Sequence, residues 1–270
     1  MPKHIGIVGC SAEGAALCYR TICLEAEPFM GKFAHPEVTL HNICLADYMR
    51  HIDVPRPDPG KNEGARAGAG KGEGVHAGAS RNAGVHAGAS RNKTEADWPA
   101  VAELMLRSAE ALQRAGADFL ICPDNTIHNA LPYVLPRSPL PWLHIADEVG
   151  HAAQRRGFKK LALTGTRYLV NSSVYPEKLT ALDIAYQRPT EAQREEINRI
   201  IFDELVLGRQ TPESLRYFQQ VIAELKTQGC DAVVLGCTEI PLLVSDATSP
   251  LPTLDSTRLL ARAALREALK

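Results

Sequence analysis

The sequence predicts an α/β fold in two related halves, each a parallel sheet covered by helices on both faces. Short apolar segments alternate with longer segments of helical periodicity, a pattern typical of parallel sheets packed between helices. The same order of segments occurs twice, and "AGADFLICPDNT" in the first half matches "QGCDAVVLGCTE" in the second. The tetrapeptide "SPLP" also occurs twice, at 138–141 and 249–252. We therefore expect two pseudo-symmetric domains.

The first half begins with the strand "HIGIVG", which leads into a helix starting near Ala12. The strand "VTLHNI" and the helix "WPAVAELMLRSAEALQRAGA" follow, and that helix runs directly into the strand of "DFLICPDNT". "PWLHIAD" is predicted as one more strand before the helix "EVGHAAQRRG".

The second half repeats this alternation. Its predicted strands are "KKLALTG", "LDIAYQ", "DAVVLGCTEI" and "PTLDS". Its predicted helices are "EAQREEINRIIFDELVLG", "PESLRYFQQVIAELKTQG" and "TRLLARAALREAL". We predict a first domain from 1–139 with 256–270, and a second domain from 140–255.

One tract, 57–95, has a different composition. It carries a ten-residue repeat, "GVHAGASRNA" then "GVHAGASRNK", after a degenerate copy, "GARAGAGKGE". It has almost no large apolar side chain and so cannot offset the entropy lost on ordering. We interpret it as a flexible insertion, in which His76 and His86 are surface residues rather than metal ligands.

Composition excludes several function classes. The net charge of -1 predicts no bulk attraction to nucleic acid or to an anionic membrane. The opening "MPKHIGIVGC" is not expected to act as a signal peptide, and no apolar run approaches membrane-spanning length, so a cytoplasmic location is predicted. The seven cysteines form no C-x-x-C pair, so we expect neither a disulfide framework nor a metal site. The opening glycines lack the dinucleotide-binding spacing.

The two matching strand ends predict the active site. Ligands of open parallel sheets bind beyond the carboxyl ends of the strands. Asp124 and Cys237 follow corresponding strands of the two halves, 113 residues apart. If the halves face each other about a pseudo-dyad, these residues approach one ligand from opposite sides. That arrangement suits stereoinversion, which needs an acid and a base on opposite faces of one carbon.

Cys237 is predicted to be a catalytic thiol, with a buried structural thiol as the alternative. Its reference pKa of about 8.5 must fall for it to act as a base, and the dipole of the following helix would lower it. Cys10 and Cys230 are interpreted as structural.

Three roles are open for Asp124. It acts as the acid/base opposite Cys237, it orients a substrate group, or it is a helix N-cap without chemistry. As an acid/base near neutral pH, it needs a pKa well above its reference value of about 3.9.

The remaining candidate residues lie at the same strand-to-helix turns. Ser11, Asn125, Thr126 and Thr238 are predicted to bind the substrate, because hydroxyl, amide and backbone N–H groups at such turns hold anions such as an α-carboxylate. Helix capping is the alternative for each. His128 and Glu239 lie one turn into their helices, and they are predicted either to be catalytic or to support the site or cap helices.

The sequence resembles the aspartate/glutamate racemase superfamily in "HIGIVGCSAEGAALCYRTI", "AGADFLICPDNTIH", "PTEAQREEINRIIFDEL" and "DAVVLGCTEIPLLV". The resemblance implies two pseudo-symmetric domains with the active site between them, and commonly a homodimer. It also implies racemisation without pyridoxal phosphate, metal or any other cofactor, by two cysteines that flank the substrate α-carbon.

Three positions depart from the family pattern. Asp124 stands where the first catalytic cysteine is usual, and Cys122 lies about 7 Å deeper along the strand. Met49 stands where aspartate-specific members carry an arginine, although Arg50 is adjacent. Leu169-Val170 replaces a frequent Thr-Met and suggests a more apolar pocket wall.

The sequence therefore predicts an isomerase: a cofactor-independent racemase or epimerase of an amino acid or related small carboxylate, acting by proton transfer at the α-carbon. One alternative is a one-thiol decarboxylase of the arylmalonate type, in which Cys237 protonates the enediolate left by a departing carboxylate. The other is a non-catalytic carboxylate-binding protein, which would have no need of the Cys237 thiol.

Overall fold

The computed structural model describes residues 1–53 and 96–270, so the predicted insertion at 57–95, with His76 and His86, lies outside the described residues. The strands within these ranges are β1 (Ile5–Gly9), β2 (Val38–Asn42), β3 (Phe119–Ile121), β4 (Lys160–Gly165), β5 (Ala185–Gln187), β6 (Ala232–Gly236) and β7 (Thr253–Asp255). The α-helices are α1 (Ala12–Glu25), α2 (Glu27–Met30), α3 (Leu45–Ile52), α4 (Trp98–Arg114), α5 (Leu131–Val134), α6 (Ile145–Arg155), α7 (Arg167–Val170), α8 (Val174–Thr180), α9 (Glu191–Asp203), α10 (Pro212–Thr227), α11 (Ile240–Leu243) and α12 (Ser256–Ala268). Two 3₁₀ helices span Thr126–Ala130 and Leu205–Leu207.

The strands form two separate parallel sheets, which confirms the predicted fold class. The first sheet has the order β2-β1-β3 and the second has the order β5-β4-β6-β7. Every strand pair in both sheets is parallel. Helices cover both faces, so the residues of β1 and β6 are buried throughout.

The prediction of a strand at "PWLHIAD" is wrong. Only one isolated parallel bridge forms there, between Leu120 and Trp142. Pro141 has no N–H to donate, and helix α6 begins only a few residues later at Ile145, where the His144 side chain accepts from the N–H of Ala146 at 3.2 Å. The segment is therefore too short to extend the sheet by a full strand. Its counterpart in the second half does form β7.

Helix caps explain several of the helix boundaries. The Ser11 hydroxyl accepts from the N–H of Gly14 at the start of α1, and Asp255 caps α12 in the same way. Thr190 and Gln193 form a reciprocal capping box at the start of α9. Since the strand ends lie next to α1 and the other capped helices, these caps also fix the turns at the carboxyl ends of the strands.

The last helix packs against elements from both halves of the chain. Leu260, Ala261 and Ala264 of α12 lie in one buried cluster with Ile7 of β1 and Ile22 of α1. Helix α12 also contacts α6. The domain boundaries at 139/140 and 255/256 stay a prediction. Across residues 1–53 and 96–270, no helix is both long enough and apolar enough to span a bilayer.

Candidate active site

One pocket lies where the carboxyl ends of strands from both sheets meet. Its empty volume, including the open mouth, is about 510 Å³. The turns after β1, β3, β4 and β6 contribute polar residues to it, while α3, α9 and the residues after α9 contribute apolar ones. Asp124 and Cys237 both line this pocket, the first from the β3 turn and the second from the β6 turn.

Asp124 is buried, and its carboxylate lies between N–H donors and a second acid. Its Oδ2 accepts from the N–H of Cys10 at 3.2 Å and of Ser11 at 3.3 Å. Burial, followed by the charge of Glu239, raises the pKa of Asp124 to about 6, although the hydrogen bonds oppose this shift. The carboxyl group therefore exchanges its proton close to neutral pH. It does not cap the 3₁₀ helix that follows it, because its bonds go to the loop before α1.

The environment of Cys237 differs from the sequence prediction. Its buried thiol donates to Glu239 Oε2 at 2.9 Å. Burial, then the charge of Glu239, raise the pKa of Cys237 well above the usual thiol value. The expectation of a lowered pKa is wrong because α11 is a single turn that begins only after Glu239, and a carboxylate rather than a cation faces the sulfur. Cys237 is therefore a protonated thiol in this structure.

A chain of hydrogen bonds connects the two groups across the pocket. Thr238 Oγ1 donates to Glu239 Oε2 at 2.6 Å. Because Thr238 has then used its only proton, the Ser11 hydroxyl donates to Thr238 Oγ1, at 3.1 Å. The Ser11 backbone N–H in turn donates to Asp124. Asp124 of the first half and the Cys237 thiol of the second half therefore belong to one hydrogen-bond network.

Gly14 allows the two halves to approach closely at this point. A Cβ at position 14 would lie 2.4 Å from Cγ2 of Thr238, which is far inside normal contact distance. The first turn of α1 therefore packs directly against the β6 turn only because residue 14 has no side chain.

Asn125 and Thr126 also line the pocket, but their side chains already have partners. Asn125 Oδ1 accepts from the Tyr175 hydroxyl at 2.7 Å, and its Nδ2 donates to Ser256 Oγ at 2.9 Å. Thr126 Oγ1 lies 2.8 Å from Thr166 Oγ1. The side-chain amide of Asn125 therefore connects the two halves through hydrogen bonds. Only the backbone N–H of Asn125 is left to bind a ligand.

Backbone donors remain at the two strand ends. The N–H groups of Asn125, Thr126 and Thr238 make no hydrogen bond to any other described residue, whereas the Glu239 N–H donates to the Cys237 sulfur. Turns with several such N–H groups suit an anion. These donors support the predicted carboxylate site more directly than the side chains do.

His128 lies behind the strand rather than in the pocket. Its Nε2–H donates to the Cys122 carbonyl at 3.0 Å, and its ring packs edge-on against His144 with centroids 4.7 Å apart. Burial, then His144, lower the pKa of His128 to about 3, so the ring is neutral. The Cys122 thiol contacts the Asp124 carbonyl at 3.8 Å and does not line the pocket. Both residues support β3 and its turn.

Several pocket residues were missed by the sequence prediction. Cys10, interpreted as structural, lines the pocket and holds Asp124 through its N–H. Thr166 caps α7 and lines the pocket from the second half, as Ser11 does from the first. The first strands of the two halves, "HIGIVG" and "KKLALTG", end in Gly9 and Gly165, and this correspondence could have identified Thr166, which directly follows Gly165.

The predicted specificity positions have separate outcomes. Met49 lines the pocket, whereas the adjacent Arg50 is exposed and pairs with Asp47 at 2.9 Å. The expectation that Leu169 and Val170 form a pocket wall is wrong, because neither residue lines the pocket. They are buried in the second half, since α7 turns them inward, and Tyr168 lines the pocket instead.

Comparisons with known proteins agree with this geometry. The chain is 23% identical over 173 residues to the broad specificity amino-acid racemase RacX of Bacillus subtilis, covering 62% of this chain and 71% of that protein. It is 28% identical over 162 residues to a glutamate racemase of Thermus thermophilus, covering 57% of each protein, so it spans little more than half of that relative.

Solved structures give the same result over nearly the whole chain. A candidate Asp/Glu racemase from Yersinia pestis superposes with a TM-score of 0.76 and 27% identity, covering 99% of this chain and all of the other. An aspartate racemase homologue from Pyrococcus horikoshii shares the fold with a TM-score of 0.72 at 23% identity, with both chains covered completely. The family model for Asp/Glu/Hydantoin racemase matches residues 79–264, which is more than half of the chain. The chain therefore belongs to the Asp/Glu/Hydantoin racemase family.

Proposed function

We propose that the protein is an amino-acid racemase that moves a proton at the substrate α-carbon, with Asp124 and Cys237 as the acid/base pair. The observation that carries this proposal is that both residues line one pocket from turns of different sheets and share one hydrogen-bond network. Family membership and the similarity to RacX support the reaction class.

The protonation states suit this reaction. Near pH 7.5, Asp124, with its pKa of about 6, is mostly a carboxylate, and Cys237 is a thiol. Asp124 takes the α-hydrogen as a proton, and the electron pair of the broken C–H bond enters an enediolate formed with the α-carboxylate. The Cys237 thiol then donates its proton to the opposite face of the carbon, forming the new C–H bond and leaving a thiolate. The other enantiomer follows the same steps in reverse.

The other pocket groups support these steps. The N–H groups of Asn125, Thr126 and Thr238 are suited to the α-carboxylate, on which negative charge grows as the enediolate forms. The carboxylate of Glu239 is suited to the substrate ammonium. Ser11 and Thr238 position the acid/base pair through their mutual hydrogen bond.

Cofactor independence is part of the proposal. A pyridoxal phosphate enzyme holds its cofactor through a lysine Schiff base. None of the described residues that line the pocket is a lysine, whereas two acid/base groups are present. The homodimer and the cytoplasmic location stay predictions.

Isotope exchange tests the proposal. Single enantiomers are incubated with the enzyme in deuterium oxide and followed by proton NMR and chiral chromatography. We expect inversion with incorporation of solvent deuterium at the α-carbon, and loss of inversion by at least a hundredfold in Cys237→Ser. Inversion without deuterium incorporation would contradict the mechanism. Carbon dioxide release from substituted malonates without racemisation would favour the decarboxylase, which the two acids of the pocket argue against because they repel a malonate dianion.

A further inference from the structure

Apart from two cysteines and Tyr168, the described residues that line the pocket include two ionisable side chains, and both are carboxylic acids. Asp124 and Glu239 line it, and none of the described lining residues is lysine, arginine or histidine. Two arginines lie nearby, but both face other partners. Arg50 is exposed and paired with Asp47, and Arg167 pairs with Asp53 at 3.1 Å and Glu195 at 3.5 Å.

This charge distribution disfavours a substrate with a carboxylate in its side chain. Such a substrate would bring its second carboxylate into a pocket that already holds two acids. A buried charge without a counter-ion is strongly unfavourable. The backbone N–H groups at the β3 and β6 turns can bind the α-carboxylate. The described pocket walls offer no cationic side chain that could pair with a second carboxylate.

The walls away from these turns are apolar and come from both halves. Leu45, Met49 and Ile52 follow one another at helical spacing, and all three line the pocket from α3. Phe202 and Val206 line it from the end of α9 and the 3₁₀ helix after it. A side chain that extends away from the acid/base pair therefore meets hydrocarbon.

We infer that the substrate of this site is an amino acid with an uncharged, apolar side chain, and that aspartate and glutamate are poor substrates. The inference rests on the proposed racemase function and narrows it. Leucine, methionine and phenylalanine are the simplest members of this class. Each additional buried methylene is expected to raise kcat/KM by about fourfold until the wall is filled.

The test compares kcat/KM for racemisation of alanine, leucine, methionine, phenylalanine, aspartate and glutamate. We expect leucine or methionine to exceed aspartate and glutamate by at least a hundredfold. Met49→Arg, which places a cation on the apolar wall, should lower the rate with leucine and raise the rate with aspartate or glutamate, each by at least tenfold. Arg50→Met, on the exposed face of the same helix, is the matched control and should leave the ratio unchanged.

The two hypotheses fail in different ways. Racemisation of aspartate or glutamate at least as fast as that of leucine by the unmodified enzyme would overturn the inference and leave the racemase intact. No inversion and no α-hydrogen exchange with any of the six amino acids would overturn the racemase and the inference with it. Comparison of the six amino acids with the unmodified enzyme tests the inference even if Met49→Arg does not fold.

Discussion

Asp124 is a carboxyl group whose affinity for protons is set by opposing neighbours. Burial and the charge of Glu239 favour the neutral acid, whereas the hydrogen bonds from Cys10 and Ser11 favour the carboxylate. The outcome is a pKa of about 6. For Cys237, burial and then the charge of Glu239 raise the pKa well above its ordinary range, and the Glu239 N–H opposes this shift only in part. The pair therefore holds one proton over a wide range of pH.

This pair predicts the pH dependence of kcat/KM. In the active form, Asp124 and Cys237 together hold one proton. Protonation of Asp124 as well makes the enzyme inactive, so kcat/KM should fall about tenfold per pH unit below about pH 6. Both enantiomers should give the same profile, because their reactive forms differ only in which group holds the proton. Asp124→Cys should move this acidic limb by at least two pH units to the alkaline side. An acidic limb that stays near pH 6 in Asp124→Cys would assign it to another group.

The same pKa predicts an effect on stability. Because folding raises the pKa of Asp124 from 3.8 to about 6, the folded state binds the proton more tightly, and the stabilisation from that proton is lost as pH rises through about 6. Asp124→Asn removes this penalty, so it should stabilise the protein by up to about 3 kcal/mol at pH 7.5. The gain should be smaller at pH 5 by about 1 kcal/mol.

Urea unfolding at both pH values measures this difference. Asp47→Asn, at a partly exposed position on α3, is the control and should change the free energy of unfolding by no more than about 0.5 kcal/mol at either pH. Destabilisation by Asp124→Asn at pH 7.5 would show that its bonds to Cys10 and Ser11 outweigh the effect of burial.

At the scale of elements, prediction from sequence succeeded where a segment had its own pattern and failed where packing decided. The helix before β3 and the matching turns after β3 and β6 were predicted because apolar strands end abruptly in polar residues there. The strand at "PWLHIAD" was wrong because apolar residues before a helix do not show how many can pair with the sheet. The raised pKa of Cys237 was missed because it depends first on burial of the thiol and then on the Glu239 carboxylate, which points back to the sulfur.

The close packing of α1 against the β6 turn gives a prediction at this scale. Gly14→Ala should lower kcat by about tenfold and destabilise the protein by about 1–3 kcal/mol, because the new methyl group would overlap Thr238 Cγ2. Thr238→Ser removes that methyl group of Thr238 but keeps the hydroxyl of the hydrogen-bond network. The double variant should therefore recover part of both losses, since Ser11 Oγ still lies 2.9 Å from the new Cβ, and a double-mutant cycle measures this recovery. Purely additive effects would show that the two residues are not in energetic contact.

At the scale of the whole molecule, the internal duplication predicted the position of the site but not its specificity. Matching Asp124 to Cys237 required only the repeated pattern of strands and turns. The pairing of Thr126 with Thr166 arises from how the halves face each other, whereas the apolar wall of α3 and the role of the Cys10 N–H arise from packing within the first half. No local sequence pattern encodes that orientation, so these contributions became visible only in three dimensions.

The contact between the two chain ends that flank residues 54–95 predicts that much of the segment between them can be removed. The N–H of Asp97 donates to the carbonyl of His51 at 2.7 Å, so the described chain ends on either side are already adjacent. A short connection can therefore replace a long one with little entropic effect. Deleting residues 60–92 should leave the circular dichroism spectrum unchanged and turnover within about threefold. A tenfold loss of turnover in a folded deletion variant would give the segment a role in the reaction.

If Asp124 and Cys237 act on opposite faces of one carbon, variants that keep only one of the two groups should exchange the α-hydrogen of only one enantiomer. Asp124→Asn and Cys237→Ser are each incubated with either enantiomer of a substrate in deuterium oxide, and α-hydrogen loss is followed by proton NMR. Each variant should lose inversion, because one proton transfer is missing. We expect Asp124→Asn to exchange only the enantiomer whose hydrogen faces Cys237, and Cys237→Ser to exchange only the other. Equal exchange of both enantiomers by Asp124→Asn would show that Asp124 is not the second acid/base.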